Sequence, residues 1–383
     1  MWKLQENVLE KSDKDLLVRF IQETERFTQF DKVRLFEQAW SKWQSCRYST
    51  FVNSGSSADL IMLDATKEFY NIPDGAEVLV PAVTWTTNIT SVIQSKLTPV
   101  FVDINLKDFS FDYEKLEKAV TPRTKIILIT HLIGMPAHMD RIKDIAERHG
   151  LVILEDCCES HGATFKGTKV GNFGVASTFS FYWGHHLTTV EGGTVCTNNE
   201  ELNDLFLLKR SHGLARELHP SKHQKYKDKY PDVDFNFLFL THGYNLRNTE
   251  LHAVLGVEQL KHLDRYVQIR NKNYLEFLRI VEPIANHIYP VVNEGASSFC
   301  LPFIFKERQY KDRLHAALND KGIEHRPIIS GNLLRQPCFE RYGRHKDFPN
   351  AEIVHNNGFY IGNNQFVNKE RLELLNQVIK ELF

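Results

Sequence analysis

Short apolar segments alternate with amphipathic segments from Phe51 onward, and this alternation restricts the fold more than any other feature of the chain. Four of the apolar segments have the length of β-strands: residues 77–80, 100–103, 125–130 and 151–155. The segment Met139–His149 has helical spacing and is followed by Gly150, a residue that commonly ends a helix. This pattern predicts an α/β fold with a mostly parallel sheet, helices on both faces and functional residues at the carboxyl ends of the strands.

The regions around the alternating part are interpreted from composition and spacing. The first 50 residues carry apolar side chains at helical spacing and are predicted to be helical. Residues 214–240 are polar and rich in lysine, which indicates a long surface loop, and residues 250–280 are predicted to form one long helix. We divide the chain into an N-terminal segment with a large domain, 1–255, and a linking helix with a smaller α/β domain, 256–383.

Composition argues against several classes of function. Lysine and arginine number 47 against 48 aspartate and glutamate residues, a balance that argues against a general nucleic-acid binder. The N-terminus lacks the apolar run of a signal peptide, and no stretch reaches the roughly 18 apolar residues of a membrane helix, so no membrane association is predicted. The six cysteines are irregularly spaced, which indicates reduced thiols and a cytoplasmic protein.

The segment Asn-Ser-Gly-Ser-Ser-Ala at 53–58 precedes an amphipathic segment at 59–69 that is predicted to be helical. The backbone N–H groups of a helix start, together with the small hydroxyls of Ser56 and Ser57, suit a phosphate group. Taken alone, the motif is more often an ordinary serine cap. A phosphate site is therefore indicated only if other motifs support it.

Asp156 supplies the second motif, because it follows the apolar segment at 151–155. A carboxylate at a strand end can hold a pyridine nitrogen protonated, and a pyridinium ring withdraws electrons from a carbanion. In isolation such an aspartate more often caps the next helix. Taken alone, Trp85 would be an ordinary core tryptophan and Ser180 an ordinary strand serine.

Three longer segments complete the pattern: Phe-Ser-Phe-Tyr-Trp-Gly-His-His at 179–186 with Glu-Gly-Gly at 191–193, Glu-Asp-Cys-Cys-Glu-Ser-His-Gly at 155–162, and Gly-Tyr-Asn-Leu-Arg-Asn-Thr-Glu-Leu at 243–251. Their order and spacing resemble the DegT/DnrJ/EryC1/StrS family of sugar aminotransferases over about residues 27–337. The resemblance implies the type I fold of pyridoxal-phosphate-dependent transferases, similar to that of aspartate aminotransferase. It also implies that Asn245 reaches the cofactor phosphate of a neighbouring subunit in a homodimer.

The resemblance assigns cofactor-binding roles to Gly55, Ser56, Ser57, Trp85, Asp156, Glu159, Ser180 and Asn245. It implies that Trp85 stacks on the pyridine ring, that Asp156 pairs with the pyridine nitrogen and that Ser180 binds the phosphate. Glu159 departs from the family's glutamine and places a second carboxylate near the phenolic oxygen of the cofactor.

His185 occupies the position of the family's lysine, which forms a Schiff base with pyridoxal phosphate; the chain has no lysine between Lys169 and Lys209. Histidine can move a proton but cannot form a stable imine with the cofactor aldehyde. This exchange is typical of the family's sugar C3-dehydratase branch. The resemblance implies that pyridoxamine phosphate reacts with a C4 ketone of the substrate and that His185 removes a proton from the cofactor carbon C4′.

The substrate implied by this branch is a nucleotide-linked 4-keto-6-deoxy sugar, GDP-4-keto-6-deoxymannose or a heptose analogue, used in dideoxysugar synthesis for surface polysaccharide. L-Glutamate would restore the amine form of the cofactor. The residues assigned to the substrate are His186, His212, Arg326 and Ser330, with a solvated surface arginine as the alternative for Arg326. The sequence leaves open whether the nucleotide is GDP, CDP or dTDP.

Two other functions remain open at this point: a sugar aminotransferase whose lysine has been replaced, naturally or by engineering, and an inactive binding protein on the same fold. A metal site at His185 and His186 is not predicted, because adjacent residues on a strand point to opposite faces and no zinc-type spacing is present. An iron–sulfur cluster is not predicted either, because Cys196, Cys300 and Cys338 are far apart in sequence.

Overall fold

The computed structural model describes residues 1–291 and 294–383. The α-helices are α1 Lys11–Glu23, α2 Asp31–Gln44, α3 Gly55–Phe69, α4 Thr86–Gln94, α5 Tyr113–Lys118, α6 Met139–His149, α7 Glu200–Arg210, α8 His223–Lys229, α9 Glu250–Leu260, α10 Leu263–Val281, α11 Arg308–Asp320, α12 Pro349–Asn357 and α13 Lys369–Leu382. The strands are β1 Tyr48–Val52, β2 Glu77–Pro81, β3 Thr98–Val102, β4 Thr124–Thr130, β5 Val152–Asp156, β6 Thr164–Phe165, β7 Thr168–Lys169, β8 Ala176–Ser180, β9 Gly193–Thr197, β10 Cys300–Ile304, β11 His325–Arg326 and β12 Gly358–Gly362.

The larger sheet has seven strands in the order β1-β9-β8-β5-β4-β2-β3. Strands β3, β2, β4, β5 and β8 run parallel, and β9 is antiparallel to both β8 and β1. Alternate side chains of β2 enter different cores, since Leu79 packs with α6 on one face while Val78 and Val80 pack on the other. Burial on both faces is the condition that an all-apolar parallel strand requires, and the predicted α/β class is confirmed.

The four predicted strands and helix α6 are found within two residues of their predicted bounds. The predicted long helix over 250–280 is wrong, because it is divided into α9 and α10 at Lys261 and His262. Helix α9 packs against α1 and α2, whereas α10 packs against α13 and β10. The division therefore allows successive helices to face different neighbours, and the sequence contains no glycine or proline at 261–262 that would have indicated it.

The prediction of an irregular loop at 214–240 is also wrong in part. This segment contains α8 and three short 3₁₀ turns, at 215–217, 220–222 and 235–237. His223 begins α8, and its ring lies 4.8 Å from that of Phe235 between centroids, so the segment is held by its own contacts.

A smaller antiparallel sheet, β10-β12-β11, follows α10. The first residues of the chain lie against it: Trp2 is 1% exposed, pairs with Ile323 and donates its indole N–H to the Gly362 carbonyl at 3.0 Å. The division at residue 255 stays a prediction. Among the described residues, no helix combines the length and the apolar character needed to cross a membrane.

Candidate active site

Asp156 is the last residue of β5, and its carboxylate is buried at the carboxyl end of the parallel sheet. It accepts hydrogen bonds from Asn88 Nδ2 at 2.9 Å and from the Cys158 backbone N–H at 2.9 Å. These two donors fix the orientation of the carboxylate. Asn88 was missed as a site residue, because an asparagine inside a predicted helix gives no signal of the strand end it will meet.

The start of α3 forms a small polar cradle. Ser54 caps the helix by accepting from the Ser57 N–H at 3.1 Å, and the Ser56 hydroxyl lies 2.9 Å from that of Thr87. Gly55 packs against Ser180 so closely that a Cβ on the glycine would lie 2.6 Å from the Ser180 Cβ. Because the first N–H groups of a helix have no partner within it, this cradle of amides and hydroxyls fits a phosphate group.

Trp85 precedes α4, which begins at the carboxyl end of β2, and its side chain is 49% exposed. This exposure rules out the alternative of an ordinary core tryptophan. The ring is exposed on one side, and the carbonyl of the preceding residue, Thr84, accepts from the Ser330 hydroxyl at 3.4 Å. A planar aromatic group could stack on this face.

Glu159 lies in the turn after β5 and accepts from the Ile133 N–H at 2.8 Å. Burial raises the pKa of Glu159 to about 7; the Asp156 carboxylate acts in the same direction, whereas the Ile133 N–H and the charge of Arg326 oppose it. Ile133 has a φ of 49°, a strained value for a β-branched residue, so the local fold holds this donor in place at a conformational cost. Arg326 is exposed and lies 5.2 Å from the centre of the Tyr360 ring.

His185 lies in the turn after β8, which ends at Ser180. The premise that His185 and His186 lie on a strand is therefore wrong: both rings lie near His161 and Phe299, and the centroid of His185 is 6.0 Å and 5.6 Å from theirs. Burial, together with the charge of Arg270, lowers the pKa of His185 to about 3. Its Nδ1 atom is buried and has no hydrogen-bond partner among the described residues, so this nitrogen is available to accept a proton.

His186 is fully buried, and its Nε2 lies 3.1 Å from the Ser297 hydroxyl and 3.2 Å from the Ser297 carbonyl. Burial lowers the pKa of His186 well below its usual range. These contacts favour a structural role for His186 over the predicted contact with a substrate.

Asn245 and His212 lie apart from this group. Both are exposed, and Asn245 forms a backbone bridge with Ser211, next to His212. The Asn245 side chain accepts from Arg247 Nε at 3.1 Å, and Arg247 pairs with Val52 of β1, the edge strand of the large sheet. Asn245 therefore lies at the surface. Gly55, Asp156, Glu159, Ser180 and His185 instead lie around the ends of β5 and β8.

His131, Glu155 and Cys157 bring three potential metal ligands together beneath the site. The Glu155 carboxylate already accepts from His131 and from the backbone N–H groups of Gly171, Phe173 and Gly174. His131 Nδ1 accepts from the Ala137 N–H at 3.0 Å. The group is therefore a structural network that ties the end of β4 to the turn before β8.

Comparison with known proteins agrees with this geometry. The model of the DegT/DnrJ/EryC1/StrS aminotransferase family matches residues 9–381. GDP-4-keto-6-deoxy-D-mannose 3-dehydratase of Escherichia coli O55:H7 is 36% identical over 375 residues, which cover 95% of each chain. The enzyme of the same name from Yersinia pseudotuberculosis is 35% identical over 95% of this chain and 94% of its own. A solved GDP-4-keto-6-deoxymannose-3-dehydratase with a trapped PLP–glutamate geminal diamine superposes with a TM-score of 0.91 at 32% identity, covering 99% of this chain and 100% of that one.

Proposed function

Because the chain belongs to the DegT/DnrJ/EryC1/StrS aminotransferase family, we propose that it is a pyridoxal/pyridoxamine-phosphate-dependent C3-dehydratase of a nucleotide-linked 4-keto-6-deoxy sugar. One observation carries the proposal: the lysine position holds His185, while the residues that would bind the cofactor remain in place around it. An inactive binding protein would not need the residues that bind the cofactor. An ordinary transaminase would need the lysine.

The described residues fit each chemical group of the cofactor. The cradle of Gly55, Ser56, Ser57 and Ser180 suits its phosphate, and the open face of Trp85 suits its ring. The oriented carboxylate of Asp156 suits the pyridine nitrogen, and Glu159 suits the phenolic oxygen. When bound, the cofactor supplies an amine to the sugar ketone and an electron sink for the bond changes that follow.

His185 moves the proton. As a neutral imidazole it can take a proton from the cofactor carbon C4′, and the resulting imidazolium can pass that proton to the departing C3 hydroxyl. A weakly basic histidine gives a strongly acidic imidazolium, which assists departure of the hydroxyl group.

The substrate we propose is GDP-4-keto-6-deoxymannose, the sugar named for the two dehydratases that match nearly the whole chain. We assign Arg326, Ser330 and His212 to its binding, and Arg326 is supported by its contact with the Tyr360 ring and by the effect of its charge on the pKa of Glu159. Glutamate restores the amine form of the cofactor, which agrees with the adduct named for the similar solved structure. An iron–sulfur electron donor is not proposed, since Cys196 and Cys300 belong to different sheets.

We further propose a cytoplasmic homodimer in which Asn245 completes the site of the neighbouring subunit. Its exposed position, outside the edge strand β1, supports this role. Nearby, Phe237 and Phe239 are 64% and 56% exposed, and large apolar side chains that protrude together are typical of subunit contacts. The product would serve dideoxysugar synthesis for lipopolysaccharide or capsule.

The test is incubation of the purified protein with pyridoxamine phosphate, glutamate and 4-keto-6-deoxy sugars linked to GDP, CDP or dTDP, followed by mass spectrometry. The proposal expects a GDP-sugar product that has lost one oxygen atom, with 2-oxoglutarate formed from glutamate. Replacement of the ketone oxygen by an amine would identify an aminotransferase instead. No turnover of any of the three, with cofactor bound, would favour a binding protein.

A further inference from the structure

Arg270, on α10, is a fully buried arginine whose hydrogen bonds go to backbone carbonyls and not to a carboxylate. Its Nη1 donates to the Phe299 carbonyl at 3.0 Å and to the Asn363 carbonyl. Its Nε and Nη2 are buried and have no partner among the described residues. A buried charge without a counter-ion lowers the free energy of unfolding, which indicates that Arg270 has a role other than stabilising the fold.

Phe299 connects Arg270 to the histidine group. Arg270 holds the backbone of Phe299, and the ring of Phe299 lies 5.6 Å from that of His185 and 6.1 Å from that of His186. The titratable or charged groups around His185 are Arg270 from α10, His161 from the turn after β5, and Tyr182 and His186 from its own turn. Arg270 is the single permanent charge in this set.

We propose that Arg270 is a positioning residue for His185: it holds Phe299 beside the His185 ring and adds a fixed positive charge to this buried region, which together keep His185 neutral and able to accept a proton. This inference rests on the proposed dehydratase function, in which His185 is the base. Burial lowers the pKa of Arg270 only to about 10, so the guanidinium remains charged at neutral pH. A cation near an imidazole disfavours the imidazolium form, which is the direction needed for a base that must start deprotonated.

The consequence for the reaction is twofold. His185 is ready to accept a proton across the whole physiological pH range, and the imidazolium that forms beside Arg270 gives up its proton readily. Arg270 would thus favour the second proton transfer, to the departing hydroxyl, as much as it prepares the first.

The test follows the His185 signal by NMR in protein labelled at the histidine Cε1 carbon, assigned with His185→Asn. It is recorded for the protein as purified and after addition of pyridoxamine phosphate. Arg270→Gln removes the charge but keeps an amide that can donate to the Phe299 carbonyl, whereas Arg270→Lys keeps the charge. We expect the titration midpoint of His185 to rise by about one pH unit or more in Arg270→Gln, equivalent to a tenfold change in proton affinity, and to stay low in Arg270→Lys. Arg265→Met, which removes an exposed charge from the same helix, should leave the midpoint unchanged.

Equal midpoints in the wild-type and Arg270→Gln proteins would overturn the proposal, and so would equal rises in the Gln and Lys variants, since packing would then be the cause. If Arg270→Gln does not fold, the titration of His185 in the wild-type protein tests the proposal. A midpoint near the ordinary value of about 6.5 would contradict it. The titration does not depend on turnover, so its result is separate from failure of the dehydratase assay. Where turnover is seen, the acid limb of its pH profile should move to higher pH in Arg270→Gln alone.

Discussion

The side chain at position 185 decides which chemistry the cofactor site can perform. We predict that His185→Asn keeps the fold and binds pyridoxamine phosphate, because neither depends on a covalent link through this residue. Dehydration should fall by about 10²- to 10⁴-fold, the usual contribution of a positioned acid–base group. The measurement is single-turnover formation of the deoxygenated sugar, with His149→Asn, an exposed histidine at the end of α6, as the control.

His185→Lys extends the same experiment. A lysine at this position should form an imine with pyridoxal phosphate, which is seen as a new visible absorbance. Borohydride reduction should remove that absorbance and leave the cofactor permanently attached to the lysine. If His185→Asn still exchanged deuterium at the cofactor carbon C4′ and still deoxygenated the sugar, the base would have to be another residue. Buried His186, bound to Ser297, is less accessible for that role than His212.

The raised pKa of Glu159 leads to a prediction about how folding stability depends on pH. A carboxyl pKa near 7 in the fold, against about 4.3 in the unfolded chain, means that the folded protein binds more protons between these values. Stability should therefore fall as pH rises from about 4 to 7, by up to about 3 kcal/mol. Glu159→Gln should lose this part of the slope and gain melting temperature at pH 8 relative to the wild type, but not at pH 4. Glu147→Gln, an exposed change, is the control. A pH-independent difference would show that Glu159 is ionised throughout.

At the scale of elements, the contact between the start of α3 and the end of β8 builds the cradle that we propose for the phosphate. Gly55→Ala should disturb it, because the new Cβ would overlap Ser180. Overpacking of this kind costs about 1–3 kcal/mol, which corresponds to a loss of about 5- to 150-fold if it falls on cofactor affinity. Fluorescence titration with pyridoxamine phosphate measures that affinity. Gly343→Ala, where the new Cβ meets only ordinary contacts, should leave it unchanged. A loss of thermal stability with unchanged affinity would place the contact outside the cofactor site.

At the scale of the whole molecule, the composite site can be tested by mixing two inactive variants. Asn245→Ala and His185→Asn subunits should each form impaired homodimers. If Asn245 acts across subunits, a mixed dimer contains one fully native site and one doubly altered site. Random mixing at equal amounts should then restore about a quarter of wild-type sites, because half the dimers are mixed and each has one good site of two. Absence of recovery, with subunit exchange verified by mass, would assign Asn245 to its own subunit's site.

The sequence by itself determined the α/β class and the strand segments, and it predicted the residues that we propose for the cofactor. Apolar runs at 77–80 and 125–130 can be satisfied only by burial on both faces of a sheet, so periodicity was sufficient to place them. The replacement of lysine by His185 is likewise a fact of the sequence, visible without coordinates. The division of 250–280 into two helices was not predicted, because it results from packing against different neighbours. No glycine or proline at 261–262 indicated it in the sequence.

The tertiary structure alone decided the environment of each site residue. Asn88 meets Asp156 across 68 positions of sequence, and the charge of Arg270, on a helix much later in the chain, acts on His185. Neither contact leaves a local pattern, because hydrogen bonds and electric fields act across space and not along the chain. The same holds for the exposure of Trp85, the burial of His186 and the raised pKa of Glu159. Residue types set what chemistry is available here, and the fold sets the protonation state in which each residue performs it.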